Sequence, residues 1–163
     1  LSVFDAAGRV TSRTNALGSF AYTYDGVSSR PLTASYPNGQ ADTYNYLDNL
    51  SDRREQRITH AVGATPISEF IHGYEVAANR LTNWSQRAAS QAPIIQTLTY
   101  DLANQLASAA GVSNLSVVKT FGYAYDPAAN RLSARIAAAT TSASYNILNE
   151  LTASAGTSAG PAP

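Results

Sequence analysis

Five acidic side chains of this sequence stand in the same local setting. Asp5, Asp25, Glu75, Asp101 and Asp126 directly follow Phe4, Tyr24, Tyr74, Tyr100 and Tyr125. Carboxylates are the first candidates for acid–base work, but a catalytic pair needs two unlike environments converging on one cleft. Acids that recur in one setting have like environments. An Asp at that position hydrogen-bonds the backbone two residues on and starts a turn, so turn formation is the favoured role. His60 and His72 are the two imidazoles. His72 takes the place of the first Tyr of an aromatic pair (compare Tyr22 and Tyr123), and zinc would need further convergent ligands that the spacing does not offer. Arg9, Arg30, Arg80 and Arg131, at the exits of the turns, could hold an anion. Pairing with the turn acids or lying along Tyr faces is the plainer expectation. Ser and Thr are plentiful, yet no Gly-x-Ser-x-Gly elbow and no phosphate-cradling loop is present, and Lys119 is the sole lysine. No catalytic or metal-ligating residue is named, the reading is non-enzymatic, and no cofactor is expected.

The tyrosines are the remaining candidates. Exposed aromatic rows bind sugars or peptides through stacking and hydroxyl hydrogen bonds. Cross-strand aromatic pairing is their ordinary work in sheets and is favoured here, with the single Trp84 packing over a repeat interface.

The elements that position these residues follow from a repeat. Aromatics at 4, 24, 46, 74, 100, 125 and 145 recur at steps of 20 to 28 residues. Phe4 to Val10, Tyr100 to Leu106 and Tyr145 to Leu151 align without gaps, each running aromatic, polar, two variable residues, Gly or Asn, long polar, aliphatic. Tyr74 to Leu81 and Tyr125 to Leu132 carry one extra residue in the turn, Tyr24 to Leu32 is looser, and Tyr46 to Leu50 is degraded. Alternation such as Phe20-Ala21-Tyr22-Thr23-Tyr24 and Phe121-Gly122-Tyr123-Ala124-Tyr125 has the period of a strand. Gly8, Asn79, Asn104, Asn130 and Asn149 stand where a positive φ is expected. Each copy is therefore strand, tight turn, strand. A second turn type is read at Tyr36-Pro37-Asn38-Gly39, between alternating runs that reach Tyr44 and Tyr46. Gln86 to Pro93 and Ala109 to Asn114 read as loops, and a short helical turn within Arg53 to Ile58 is outweighed by the surrounding strand pattern. The predicted fold is all-β, an array of antiparallel hairpins forming a curved, open sheet.

Composition agrees. The 163 residues are 44% hydrophobic and 13% charged, with 11 basic and 11 acidic side chains. That is enough apolar content for a folded domain. Zero net charge argues against a nucleic-acid footprint, and no apolar stretch approaches the ~20 residues of a membrane helix. Cysteine is absent, which excludes a disulfide framework and thiolate metal sites. A chain without Met that closes on Ala153 to Pro163, rich in Ala, Ser, Gly and Pro, reads as a piece of something larger, with residues 1–152 as the array and 153–163 as a flexible tail.

The recurring Tyr-x-Tyr-Asp-x-x-Gly-Arg-Leu form, joined by Tyr-Pro-Asn-Gly, resembles the YD repeat of Rhs-repeat proteins. The resemblance covers the chain from Leu1 to about Ala153. It implies a spiralling antiparallel sheet that closes, in long members, into a hollow shell, as in bacterial insecticidal toxin complexes, polymorphic toxins and teneurins. In the bacterial members the shell encloses a toxic C-terminal domain. The implied partners are neighbouring repeats and such a domain, and the implied location is secreted or at the bacterial surface. The alternative is an adhesion module whose Tyr face binds carbohydrate or protein. In either case Phe4, Asp5, Gly8, Arg9, Tyr22, Tyr24, Asp25, Tyr36, Asn38, Gly39, Tyr44, Tyr46, Tyr74, Asn79, Arg80, Tyr100, Asp101, Tyr123, Tyr125, Asp126, Asn130, Arg131 and Tyr145 are the residues expected to define the repeat.

Overall fold

A computed structural model describes residues 1–75 and 80–157. Fourteen strands form one open antiparallel sheet in strict chain order. They are β1 (Ser2–Phe4), β2 (Val10–Asn15), β3 (Gly18–Tyr24), β4 (Pro31–Ser35), β5 (Gln40–Tyr46), β6 (Glu55–Val62), β7 (Thr65–Tyr74), β8 (Leu81–Ala88), β9 (Ile94–Tyr100), β10 (Leu106–Ser113), β11 (Ser116–Tyr125), β12 (Arg131–Ile136), β13 (Ala139–Tyr145) and β14 (Leu151–Gly156). A 3-10 turn, Asn49–Ser51, precedes β6. The chain divides into two compact units, Leu1–Arg80 with Trp84–Pro93, and Leu81–Asn83 with Ile94–Pro163.

In the first unit the period-two pattern sorts side chains by face. Phe20, Tyr22 and Tyr24 of β3 are half-buried while Ser19, Ala21 and Thr23 are exposed. In β5, Asp42, Tyr44 and Tyr46 lie on the covered face. Phe70 stacks on Trp84 at 6.4 Å and meets His60 edge-on at 6.1 Å. Among the described residues only Ala34, Asp42, Ala109 and Gly111 are buried. The sheet therefore stabilises itself through same-face neighbours and backbone ladders, and no large side chain is fully enclosed.

The turns are more uniform than expected. In the turn after β1 the Gly8 N–H donates to Asp5 O at 3.0 Å and the Asp5 N–H to Arg9 O at 2.9 Å, with Gly8 at φ 76°. The Asn-Gly turn, expected to be a second type, is the same one: Gly39 N–H donates to Tyr36 O at 3.1 Å, Tyr36 N–H to Gln40 O at 2.9 Å, and Gly39 has φ 81°. Both are a type I turn followed by a left-handed residue that forms a bulge. Turns Asp101–Gln105, Asp126–Asn130 and Asn146–Glu150 repeat both bonds. The Asp126 turn consequently holds no extra residue, and the positive φ expected at Asn130 falls on Ala129, at 68°. Asn130 instead takes the place that Arg9 fills in the first copy. Asn79 lies outside the described residues.

Other boundaries also move. Ala109–Ser113, expected as loop, continues β10, because small side chains there fit between large neighbours: Ala109 stands opposite Leu98 and Phe121. The reversal follows at Asn114 and Leu115, both with positive φ. β8 likewise runs to Ala88, so the loop starts at Ala89. Glu55–Ile58 is strand, and the helical turn sits earlier, at Asn49–Ser51, where the Asp48 side chain accepts from the Ser51 N–H at 3.0 Å. β14 extends to Gly156, four residues into the stretch expected as tail.

Candidate functional site

One edge of the sheet carries the Tyr-Asp turns, and there the geometry repeats. The second Tyr of each pair ends its strand and sends its hydroxyl to the first carbonyl of the strand alongside. In the first unit Tyr24 donates to Val10 O at 2.7 Å, Tyr46 to Pro31 O at 2.8 Å and Tyr74 to Glu55 O at 2.8 Å. In the second, Tyr100 donates to Leu81 O at 2.8 Å, Tyr125 to Leu106 O at 3.1 Å and Tyr145 to Arg131 O at 3.4 Å. The first residue of the pair has no such duty. Tyr22, Tyr44 and Tyr123 make no hydroxyl hydrogen bond among the described residues, and the same place is filled by His72, Leu98 and Ala143 in other copies. The second position uses its hydroxyl in six copies, whereas the first accepts residues that have none. Phe4 occupies the second position on edge strand β1, without a hydroxyl, and is exposed.

The turn acids build their own loops. Oδ1 of Asp5 accepts from Ala7 N–H and Arg9 N–H, of Asp101 from Ala103 and Gln105, and of Asp126 from Ala128 and Asn130, all at 2.9 Å. Two of these carboxyls are held below their ordinary value, that of Asp5 chiefly by the Arg9 backbone N–H and that of Asp126 chiefly by the Asn130 side chain. The turn-exit residues then tie turn to turn. Arg9 puts Nε and Nη2 2.7 Å from Asp5 Oδ2, lies over the Tyr24 ring at 4.6 Å, and donates through Nη1 to the Gly26 and Ser28 carbonyls of the next turn. Arg53 donates to Asp25 Oδ2 from the other side, with Arg30 at 3.6 Å, and Arg53 is the main cause of the lowered Asp25 carboxyl. Arg80 forks onto Glu75 at 2.5 and 3.0 Å. Asn130 joins Asp126 to Asn149, 2.9 Å from each, whereas Arg131 leaves the acid and lies 5.9 Å from the Tyr123 ring.

A second constellation went unread in the sequence. Asp42, 5% exposed, stands in register between Ala34 and His60. Its Oδ1 is 2.6 Å from His60 Nδ1 and 3.3 Å from Gln40 Nε2, while Oδ2 accepts from the Tyr36 hydroxyl at 2.7 Å. Burial works to raise the Asp42 carboxyl, but the bonds from His60, Tyr36 and Gln40 outweigh it and leave it lowered. The same contact with Asp42 pushes the Tyr36 hydroxyl up to about 12. Asp42 is thus a buried, fully bonded carboxylate tying β4's turn to β5 and β6. Only the shared alternation of Asp42 and Tyr44 along β5 hinted at it; the 18-residue separation from His60 hid the pairing. Beside Tyr36, a cleft of about 400 Å³ is lined by Leu17, Phe20, Tyr36, Pro37 and Asn38. Among the described residues no group of three or more His, Asp or Glu side chains is placed to hold a metal ion, and no helix is long and apolar enough to cross a membrane.

These features match known proteins at two levels. Residues 4–41 match the RHS Repeat family model. No curated protein matches the sequence. Among solved structures, a Tc holotoxin pore from Photorhabdus luminescens is 18% identical with a TM-score of 0.61, over 89% of this chain. The crystal structure of TcdB2–TccC3 is 15% identical with a TM-score of 0.71, over 98% of this chain. The chain spans 9% of the length of each of those chains. Residues 4–41 thus carry an RHS repeat, and along its length the chain shares the fold of those two toxin structures.

Proposed function

We propose that this chain is a length of wall in a larger Rhs/YD shell, in a secreted or surface-delivered bacterial protein, and that the shell encloses a toxic C-terminal domain. Its work is containment, and the residues expected to define the repeat serve by holding hairpin to hairpin. One observation carries this reading. Six tyrosine hydroxyls clamp strand ends to the carbonyls alongside, so the aromatic-acid words are spent on building a continuous barrier. Repeats that contact only their neighbours extend without limit, which suits a wall. The test uses the full-length parent protein. Limited proteolysis should leave its C-terminal domain intact, and replacing Tyr24, Tyr46 and Tyr74 together by Ala should expose it. Equal cleavage of that domain in both proteins, at the rate of the free domain, would refute containment.

A second reading is adhesion, favoured by the cleft of about 400 Å³ at Leu17, Phe20 and Tyr36, whose aromatic lining suits a sugar ring. Saturable binding on a glycan array, lost in Phe20→Ala, would support it over containment.

A further inference from the structure

A pocket of about 270 Å³ lies in the first unit between the Asn49–Ser51 turn, the approach to β6 and the end of β7. Arg54, His72, Tyr74 and Glu75 line it. Six arginines of this unit, Arg9, Arg30, Arg53, Arg57, Arg80 and Arg87, each have a carboxylate within 3.6 Å, and among the described residues Arg13, on β2, does not. Arg54 has none among the described residues. Its Nε donates to Ser51 O at 2.9 Å, its guanidinium lies over the Tyr74 ring at 4.7 Å, and its Nη1 is buried without a hydrogen bond. A guanidinium has five N–H donors, and the two on Nη1 have no acceptor here. Beside it, His72 Nδ1 is also buried without a hydrogen bond; Glu55 Oε1 stands 3.5 Å away, at ion-pair distance but without hydrogen-bond geometry. Of the nearby acids, Glu75 is forked by Arg80 and Glu55 lies outside the lining. Buried polar groups without partners are rare and costly, and two of them share one pocket here.

We propose that this pocket binds a carboxylate, with Arg54 as its cationic partner and His72 beside it. A carboxylate matches the flat guanidinium fork with two parallel hydrogen bonds, which a spherical anion cannot do. The inference stands apart from the containment reading, since a wall segment needs no such ligand. The carboxylate could be a free small acid or the side chain of an acidic protein segment. The test is a ¹H–¹⁵N NMR titration of the full chain with acetate and, separately, with a tri-glutamate peptide, at constant ionic strength. The expected result is a saturable shift of the Arg54 Nε–H and the Gly73 amide with either probe. The acetate arm alone points to a free acid, and a tighter peptide arm points to a protein segment. Arg54→Gln should abolish the response, and Arg54→Lys, which keeps the cation but loses the fork, should weaken it about tenfold. Arg13→Gln, on β2, should leave it unchanged. Shifts that stay linear with concentration, that chloride reproduces, or that persist in Arg54→Gln would overturn the proposal. Should Arg54→Gln not fold, an unweakened response in Arg54→Lys would overturn it equally.

Discussion

Replacing Tyr46 by Phe isolates what one rung of the hydroxyl ladder contributes. The substitution keeps the ring, its face and its packing, and removes only the donor to Pro31 O at 2.8 Å. Tyr46 is half-buried, so water can partly satisfy the carbonyl left behind. A net hydrogen bond of this kind is worth about 1 kcal/mol. In a chain of this size that corresponds to a drop in Tm of roughly 2–4 °C. The matched control is Tyr44→Phe, two residues earlier on the same strand and face, whose hydroxyl makes no hydrogen bond among the described residues. That change should stay within about 0.5 kcal/mol of the parent. Urea unfolding followed by circular dichroism, with both variants on one scale, measures the difference. Equal losses in the two variants, or none in Tyr46→Phe, would refute the assignment of distinct roles to the two tyrosines of each pair.

Ala129 holds a left-handed conformation that costs a non-glycine residue about 1–2 kcal/mol, so Ala129→Gly should raise stability by about 0.5–1 kcal/mol after the added chain entropy, read as a higher urea midpoint. Gly18, at φ 121°, has no room for a side chain: an added Cβ would stand 2.6 Å from Pro37 Cβ, so Gly18→Ala should cost about 1–3 kcal/mol by the same assay. Asp5, Asp25 and Asp126 have folded carboxyls held below their unfolded values by the bonds from Arg9, Arg53 and Asn130. Their contribution is complete above about pH 4, the unfolded carboxylate range, and disappears as pH falls through the lower folded values. Urea midpoints should therefore decline as pH falls below about 4, and a flat profile there would contradict the turn geometry.

The hairpin turns were legible in the residue order because their determinants are local. An Asp that accepts from the N–H groups two and four residues on needs nothing from the rest of the fold, so Asp5, Asp101 and Asp126 announced their turns directly. Alternation likewise announced β3, β5 and β11, since a period of two is a property of one strand. Where local chemistry permits several outcomes, the order of residues was a poorer guide. Tyr36-Pro37-Asn38-Gly39 looked like a separate turn because its side chains differ, yet its backbone bonds are those of Asp5 to Arg9. Ala109 to Ser113 looked like loop because small residues suit loops; they also suit strands whose neighbours are large.

Register between strands belongs to the tertiary structure. The Tyr46 hydroxyl meets Pro31, 15 residues back, and Asp42 meets His60, 18 residues on, only because pairing places their strands side by side at one offset. A slip of one residue would turn His60 to the opposite face and leave the Asp42 carboxylate buried without that partner. Residue types along the chain thus determined that there would be hairpins and where they would reverse. Which hydroxyl reaches which carbonyl, and which arginines meet an acid, was decided by the cumulative alignment of strands, a long-range quantity that no single segment encodes.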